Sequence, residues 1–441
     1  MANRYGALAI VLAGLVTVSA QDQQQPFDPL RSVAEGYVKL VLAVGQHDAD
    51  YVDAFYGPPE WRKEAEAAKT PLTAIDAAAA ALETEIPKVV AATRPTREAM
   101  ELWTLRVQYL TRQLAAVRSR VAMLQGRKMT FDEESLALYD AVAPVKPASE
   151  FEAVLKQLEA KLPGSGTLIE RYDRYKAGFV IPKARVDRVF QEAIRGCKQR
   201  SLSMHRVELP LEENFRVEYV TGKSWSGYNW YQGNFKSLIQ VNTDLPIYID
   251  RAVDLACHEG YPGHHVYNAL LEKNLVKDRG WIEFTVYPLF SPQSLIAEGT
   301  ANYGIEVAFT PAARMAFERD ILFPLAGLNP ATVVEYYEVL ALVDRLSYAG
   351  NEAARQYLNG EITRESAVAW LEKYAMYTKP RAEQRVRFID QYRSYVINYN
   401  LGKDLVRGYI ERKMGRDKTP DRRWKEFVAL LSSPRLPSGL K

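Results

Sequence analysis

Cysteine and histidine are both scarce: the chain of 441 residues has two cysteines, Cys197 and Cys257, and five histidines. Two cysteines sixty residues apart do not define a disulfide-dependent fold, and spacing alone does not say whether they pair. Cys257 precedes His258 directly, and adjacent helical residues point about 100° apart, so it reads as a buried structural thiol rather than a ligand. Excess charge is also lacking. Lys and Arg number 57 against 54 Asp and Glu, a formal +3, and removing a leading segment whose only charge is Arg4 leaves +2. No basic run stands out, so nucleic-acid binding has no electrostatic footprint. The longest apolar stretch, residues 7–18, falls short of the roughly 20 residues that span a bilayer. No internal repeat of fixed period and no long low-complexity segment is present.

That apolar stretch follows Arg4 and leads into the small residues Val18, Ser19 and Ala20, the pattern of a secretory signal peptide. Cleavage after Ala20 is expected, so residues 1–20 are a signal peptide, with no stable membrane span left in the mature chain. The expected destination is periplasmic or extracellular. Residues 21–29 read as a polar linker. Residues 30–441 then form a single predominantly helical domain, with a helical N-terminal part (30–200) and a part carrying the site (201–441). With 47% hydrophobic and 25% charged residues, the composition suits a soluble protein with a large core.

Helical spacing of apolar residues covers 32–55, 74–91, 97–123 and 151–162. A further helix is predicted over 291–309, where Ser291 caps and Pro292 opens the first turn. Several more follow between 330 and 406. Strand alternation is confined to 215–220 (FRVEYV) and 236–242 (KSLIQVN), with Gly222, Gly227 and Gly233 between them. The fold class expected is mainly α, a large multi-helix body with one small antiparallel sheet beside the helix that opens near Asp250.

Three of the five histidines stand in HEGYPGHH, residues 258–265, with Glu259 directly after the first. This is a broken form of the HExxH zinc helix, in which the second His lies one turn after the first and the Glu serves as base. Here position 262 is Pro. On a straight helix His264 would face away from His258, and His265 would lie about 10.5 Å along the axis. Pro262 removes a hydrogen bond and clashes with the preceding turn, so a break or bulge is predicted there. A two-residue bulge at Pro262 and Gly263 would restore His264 to the face of His258. His258 and His264 are therefore the expected zinc ligands, with His265 facing substrate or supporting the site; a different kink would exchange the roles of His264 and His265.

The third ligand is expected to be Glu298, among small residues that allow close packing against the motif helix; Glu306 is its competitor. Glu259 is the expected general base. Arg393, Tyr395, Tyr399, Tyr228 and Tyr231 could each donate to an oxyanion, and Tyr399 is the expected donor. Arg381, Arg385, Arg387 and Arg393 are candidates for holding a substrate carboxylate. A zinc-dependent hydrolase with Zn2+ as its one cofactor follows; the competing possibilities are hydrolysis of a non-peptide amide and a catalytically silent helical peptide-binding protein.

At these residues the chain resembles the family catalogued as domain of unknown function 885, itself similar to the gluzincin metallopeptidases. HEGYPGHH matches the family's HExxPGHH, AEGTANYGIE (297–306) its EGWALY-like segment, and YNLG (399–402) a YxxG near the C-terminus. The resemblance implies a helical metallopeptidase-like fold, a peptide substrate, and metal or catalytic roles for His258, Glu259, His264 and Glu298. It also implies that the strand at 237–242 is an edge that binds substrate backbone, with Ser237, Ile239 and Asn242 facing it. Thr300 stands where the family has tryptophan, so the pocket differs there.

Overall fold

A computed structural model of the chain describes residues 28–203 and 206–441. The expected signal peptide and most of the linker lie outside the described residues. The fold is mainly α. Its first helices, Arg31–Val44, Leu72–Ala92 and Met100–Leu124, pack on one another through Tyr37, Val41, Ile75, Leu110 and Val117, all fully buried. These positions recur at helical spacing, so each helix buries one stripe.

The helix predicted over 32–55 ends at Val44. The chain turns through Asp48 and Asp50, and Val52–Phe55 becomes strand β1, antiparallel to the later strand Val286–Pro288. Periodicity alone missed this because four residues are too few to show alternation.

Three further strands form the sheet beside the motif: β2 (Asn214–Val220), β3 (Gly227–Gly233) and β4 (Lys236–Asn242), in the order β2-β4-β3. The sheet is mixed and not purely antiparallel as expected. β3 and β4 form an antiparallel hairpin through Asn234 and Phe235, both at positive φ, whereas β2 runs parallel to β4. β4 takes the centre because it is the strand with the most complete apolar face, burying Ser237, Ile239 and Val241. β3, unrecognised in the sequence, is GYNWYQG, whose glycines hide its alternation.

The helix Pro292–Ala308 is largely enclosed and lies against the helix Ile397–Met414. Their crossing is set by two glycines: a Cβ on Gly299 would lie 2.5 Å from the carbonyl carbon of Gly402. Gly299 therefore admits this C-terminal helix, while the same helix also packs on the motif. Part of that second contact is at Gly304, where a Cβ would lie 3.1 Å from Pro262. Between residues 330 and 406 the predicted helices are present, as Val333–Asp344, Ala349–Leu358, Arg364–Tyr374 and Lys379–Tyr392, followed by the start of Ile397–Met414. Among the described residues no helix is long and apolar enough to cross a membrane.

Candidate active site

The motif straddles a helix break. Ile249–Leu255 is α-helical, Ala256–Gly260 widens into a π turn, Tyr261 is extended, and His264 opens a new helix, His264–Leu271. This is a stop and restart, not the two-residue bulge predicted. Pro262 offers no N–H to the turn before it, and the backbone of Gly263 presses on the carbonyl of His258 so closely that a Cβ would lie 1.8 Å from that oxygen. Gly263 N–H instead donates to Cys257 O at 2.9 Å. π turns recur at functional sites because they re-aim a side chain without ending the helix.

The break turns His258 and His264 towards each other, with their Nε2 atoms 3.1 Å apart. Glu298 Oε2 lies 3.2 Å from His258 Nε2 and 3.7 Å from His264 Nε2. One ligand atom from each of the three residues falls within 4.8 Å of the others. A tetrahedral zinc with bonds of about 2.0–2.1 Å holds its donors roughly 3.3–3.4 Å apart, so the spacing fits that ion.

Hydrogen bonding fits as well. Asn302 Nδ2 donates to Tyr399 O at 3.0 Å, which orients the amide so that its Oδ1 accepts from His258 Nδ1 at 3.1 Å. The proton of His258 is thereby assigned to Nδ1 and its Nε2 lone pair is free. Glu298 Oε1 accepts from Tyr395 OH at 2.8 Å, while its buried Oε2 has no hydrogen-bond donor. Lone pairs facing one another in a buried space repel unless a cation joins them.

His265, the alternative ligand, points elsewhere and is fully buried. Its Nδ1 is 2.9 Å from Ser237 Oγ and its Nε2 is 2.9 Å from Glu213 Oε2. Glu306, the alternative carboxylate, is bound by Arg407 and lies near Lys403. Neither reaches the trio.

Glu259 is buried next to His258, and its backbone carbonyl accepts from Asn229 Nδ2 at 2.7 Å. Burial pushes its carboxyl up to about 7, with His264 opposing and Glu298 adding to the rise. Tyr399 stands by the same groups: burial raises its hydroxyl most, and the nearby Glu298 and Glu259 raise it further. Asp53 on β1 is a carboxylate that the sequence did not single out. It accepts from Tyr228 OH, and burial pushes it up to about 6 against that bond and His264. Tyr228 is thus committed to Asp53, and Tyr231 OH donates to Glu272 at 2.6 Å.

The expected substrate-facing residues are placed otherwise. β4 is central, paired on both sides, so its backbone has no free edge for a peptide. Ser237 is spent on His265, Ile239 is buried beneath Gly260, and Asn242 Nδ2 donates to the carbonyls of Lys223 and Trp225. Arg393 is equally committed, its Nε 2.6 Å from the buried Glu134. Tertiary pairing, invisible to local pattern, engages the polar groups of Ser237, Asn242 and Arg393. Asn302 was missed, although it lies one helical turn after Glu298 and so faces the same way. Cys197 and Cys257 pair as a disulfide with Cα atoms 5.5 Å apart, anchoring the motif to the helix Val186–Leu202.

No family model and no curated protein matches the chain. Among solved structures it is similar to a protein of Colwellia psychrerythraea described as a candidate lipoprotein, at 15% identity and TM-score 0.49, covering 95% of this chain and 76% of that one. It is similar to a candidate lipoprotein of unknown function from Shewanella oneidensis, at 14% identity and TM-score 0.47, covering 94% and 82% of the two chains. A carboxypeptidase of Pyrococcus furiosus is also similar, at 13% identity and TM-score 0.44, covering 92% and 90%.

Proposed function

We propose that this protein is an exported zinc-dependent hydrolase that cleaves peptide bonds, of the kind that its resemblance to the domain of unknown function 885 family and to gluzincins implies. The observation that carries the proposal is the convergence of His258 Nε2, His264 Nε2 and Glu298 Oε2 at 3.1, 3.2 and 3.7 Å. These three residues would hold the ion. When bound, zinc supplies Lewis acidity to a carbonyl oxygen and makes water easier to deprotonate.

The chain's own groups do the rest. Glu259, buried beside His258, takes a proton from the attacking water and delivers it to the leaving nitrogen. Tyr399 donates a hydrogen bond to the developing oxyanion, because its hydroxyl, unlike those of Tyr395 and Tyr228, is not spent on a carboxylate. Export is supported by the disulfide, which persists in oxidising compartments. Residues 30–441 act as one body in this scheme, since the buried Arg106 of the N-terminal part pairs at 2.6 Å with Glu283 of the site part.

The test is Glu259→Gln. Bound zinc, measured by metal analysis, is expected to match wild type, while chelator-sensitive cleavage of a mixed peptide library falls by about 10²–10⁴. Retained turnover would reject the role of Glu259.

A further inference from the structure

The helix Lys379–Tyr392 carries two arginines, Arg381 and Arg385, one turn apart. Like charges at this spacing repel. Arg251, two turns before His258, joins them at Tyr377: enclosure pushes the Tyr377 hydroxyl up, yet Arg381, Arg385 and Arg251 together pull it below the ordinary tyrosine value. Arg251 is satisfied by Asp254 at 3.1 Å and Ser226 at 3.3 Å. Arg381 lies on the Tyr377 ring, 4.5 Å from its centroid.

Arg385 differs from every other candidate for a substrate anchor. Arg393 is neutralised by Glu134. Arg387 is exposed to solvent. Arg385 is half-buried, forms no ion pair among the described residues, and has a buried Nε with no acceptor. Its guanidinium carbon is held 4.7 Å from the Phe388 ring and 5.6 Å from the Tyr399 ring. Stacking of this kind fixes the plane of the group while leaving its donors unspent. Tyr399 is the same residue whose carbonyl orients Asn302 and hence His258. Tyr399 therefore meets the Arg385 guanidinium through its ring and Asn302 through its backbone carbonyl.

We infer that Arg385, supported by Arg381, receives a carboxylate of the substrate next to the bond being cleaved. The inference rests on the peptidase reading and narrows it to peptides that present a negative group there. A carboxylate fits the planar fork of an arginine in two parallel hydrogen bonds and relieves the repulsion between Arg381 and Arg385. It can come from the chain terminus or from an Asp or Glu side chain.

Three N-acetylated peptides distinguish these sources: a free acid with a neutral last residue, its C-terminal amide, and the same amide with the last residue replaced by Glu. The zinc-loaded enzyme is expected to favour one carboxylate peptide over the neutral amide by at least about 10-fold in kcat/KM, carried by KM. That ratio should fall to about one in Arg385→Ala and in part in Arg385→Lys, with zinc content unchanged in both. Preference for the free acid assigns the chain terminus, and preference for the Glu amide assigns the side chain. Equal rates on all three, or a preference that survives Arg385→Ala, would overturn the inference. If no peptide is cleaved, the peptidase reading fails separately, and calorimetric titration of the zinc-loaded protein with the same three peptides decides this one: carboxylate-selective binding lost in Arg385→Ala supports it, and equal or absent binding overturns it.

Discussion

At the scale of single residues, the candidate site works through the groups that stand behind its ligands. Asn302 is the joint: its amide is turned by Tyr399 O and in turn holds the proton of His258 on Nδ1. Replacing it with Ala leaves His258 free to place that proton on Nε2, the atom aimed at Glu298. Outer-shell hydrogen bonds of this sort are worth about 10–100-fold in metal affinity. Asn302→Ala should accordingly weaken zinc binding by that factor in competition with a chromophoric chelator, with an unchanged circular dichroism spectrum; affinity within a factor of about three of wild type would contradict the role. The grouping of His258 with Glu259 was legible in the sequence because histidine is rare, and Glu298 because it stands among small residues. The commitments of Arg393 to Glu134 and of Ser237 to His265 were not, since each pair is joined across long stretches of chain.

At the scale of elements, the site depends on two helices that cross at glycines. Gly299 follows Glu298 directly and meets the backbone of Gly402, three residues after Tyr399. A methyl group at 299 has to push the helices apart, and overpacking of this kind costs about 1–3 kcal/mol. Gly299→Ala should lower the melting temperature and also reduce zinc affinity, because Glu298 and Asn302 ride on the displaced helix. Gly350→Ala is the control: a Cβ there meets nothing within 4 Å, and in a helix the change is expected to stabilise by up to about 1 kcal/mol. Equal melting temperatures for the Gly299 variant and wild type would remove the crossing from the explanation. The sequence showed that small residues cluster near Glu298, but not which neighbour they admit.

At the scale of the whole molecule, buried ion pairs join distant segments. Arg106 binds both Asp28 and Glu283, and Glu213, just before β2, gathers Lys198, Tyr261 and His265 under the motif. Burial would push Glu213 up, but His265, Lys198 and Tyr261 outweigh it and hold its carboxyl down at about 2, against an ordinary value of 4.5. A carboxyl depressed on folding stabilises the protein above its unfolded value, and that contribution is lost as pH falls from about 4.5 towards 2. Glu213→Gln should therefore melt below wild type at neutral pH, with the gap closing over that acid interval in calorimetry. A gap that stays constant with pH would show that the charge of Glu213 is not the source.

The sequence by itself determined the helical class, the clustering of histidines at residues 258–265 and the break at Pro262. Each of these follows from short-range constraints: helical periodicity, the missing proline N–H, and the scarcity of histidine. Only the tertiary structure decided that His264 and not His265 turns to Glu298, that β4 is central and closed to substrate, that Cys197 meets Cys257, and that Arg385 alone among the candidate arginines is both held at the site and unspent. Those outcomes depend on which distant groups share a buried space, and a buried polar group is settled by the partner that packing brings to it.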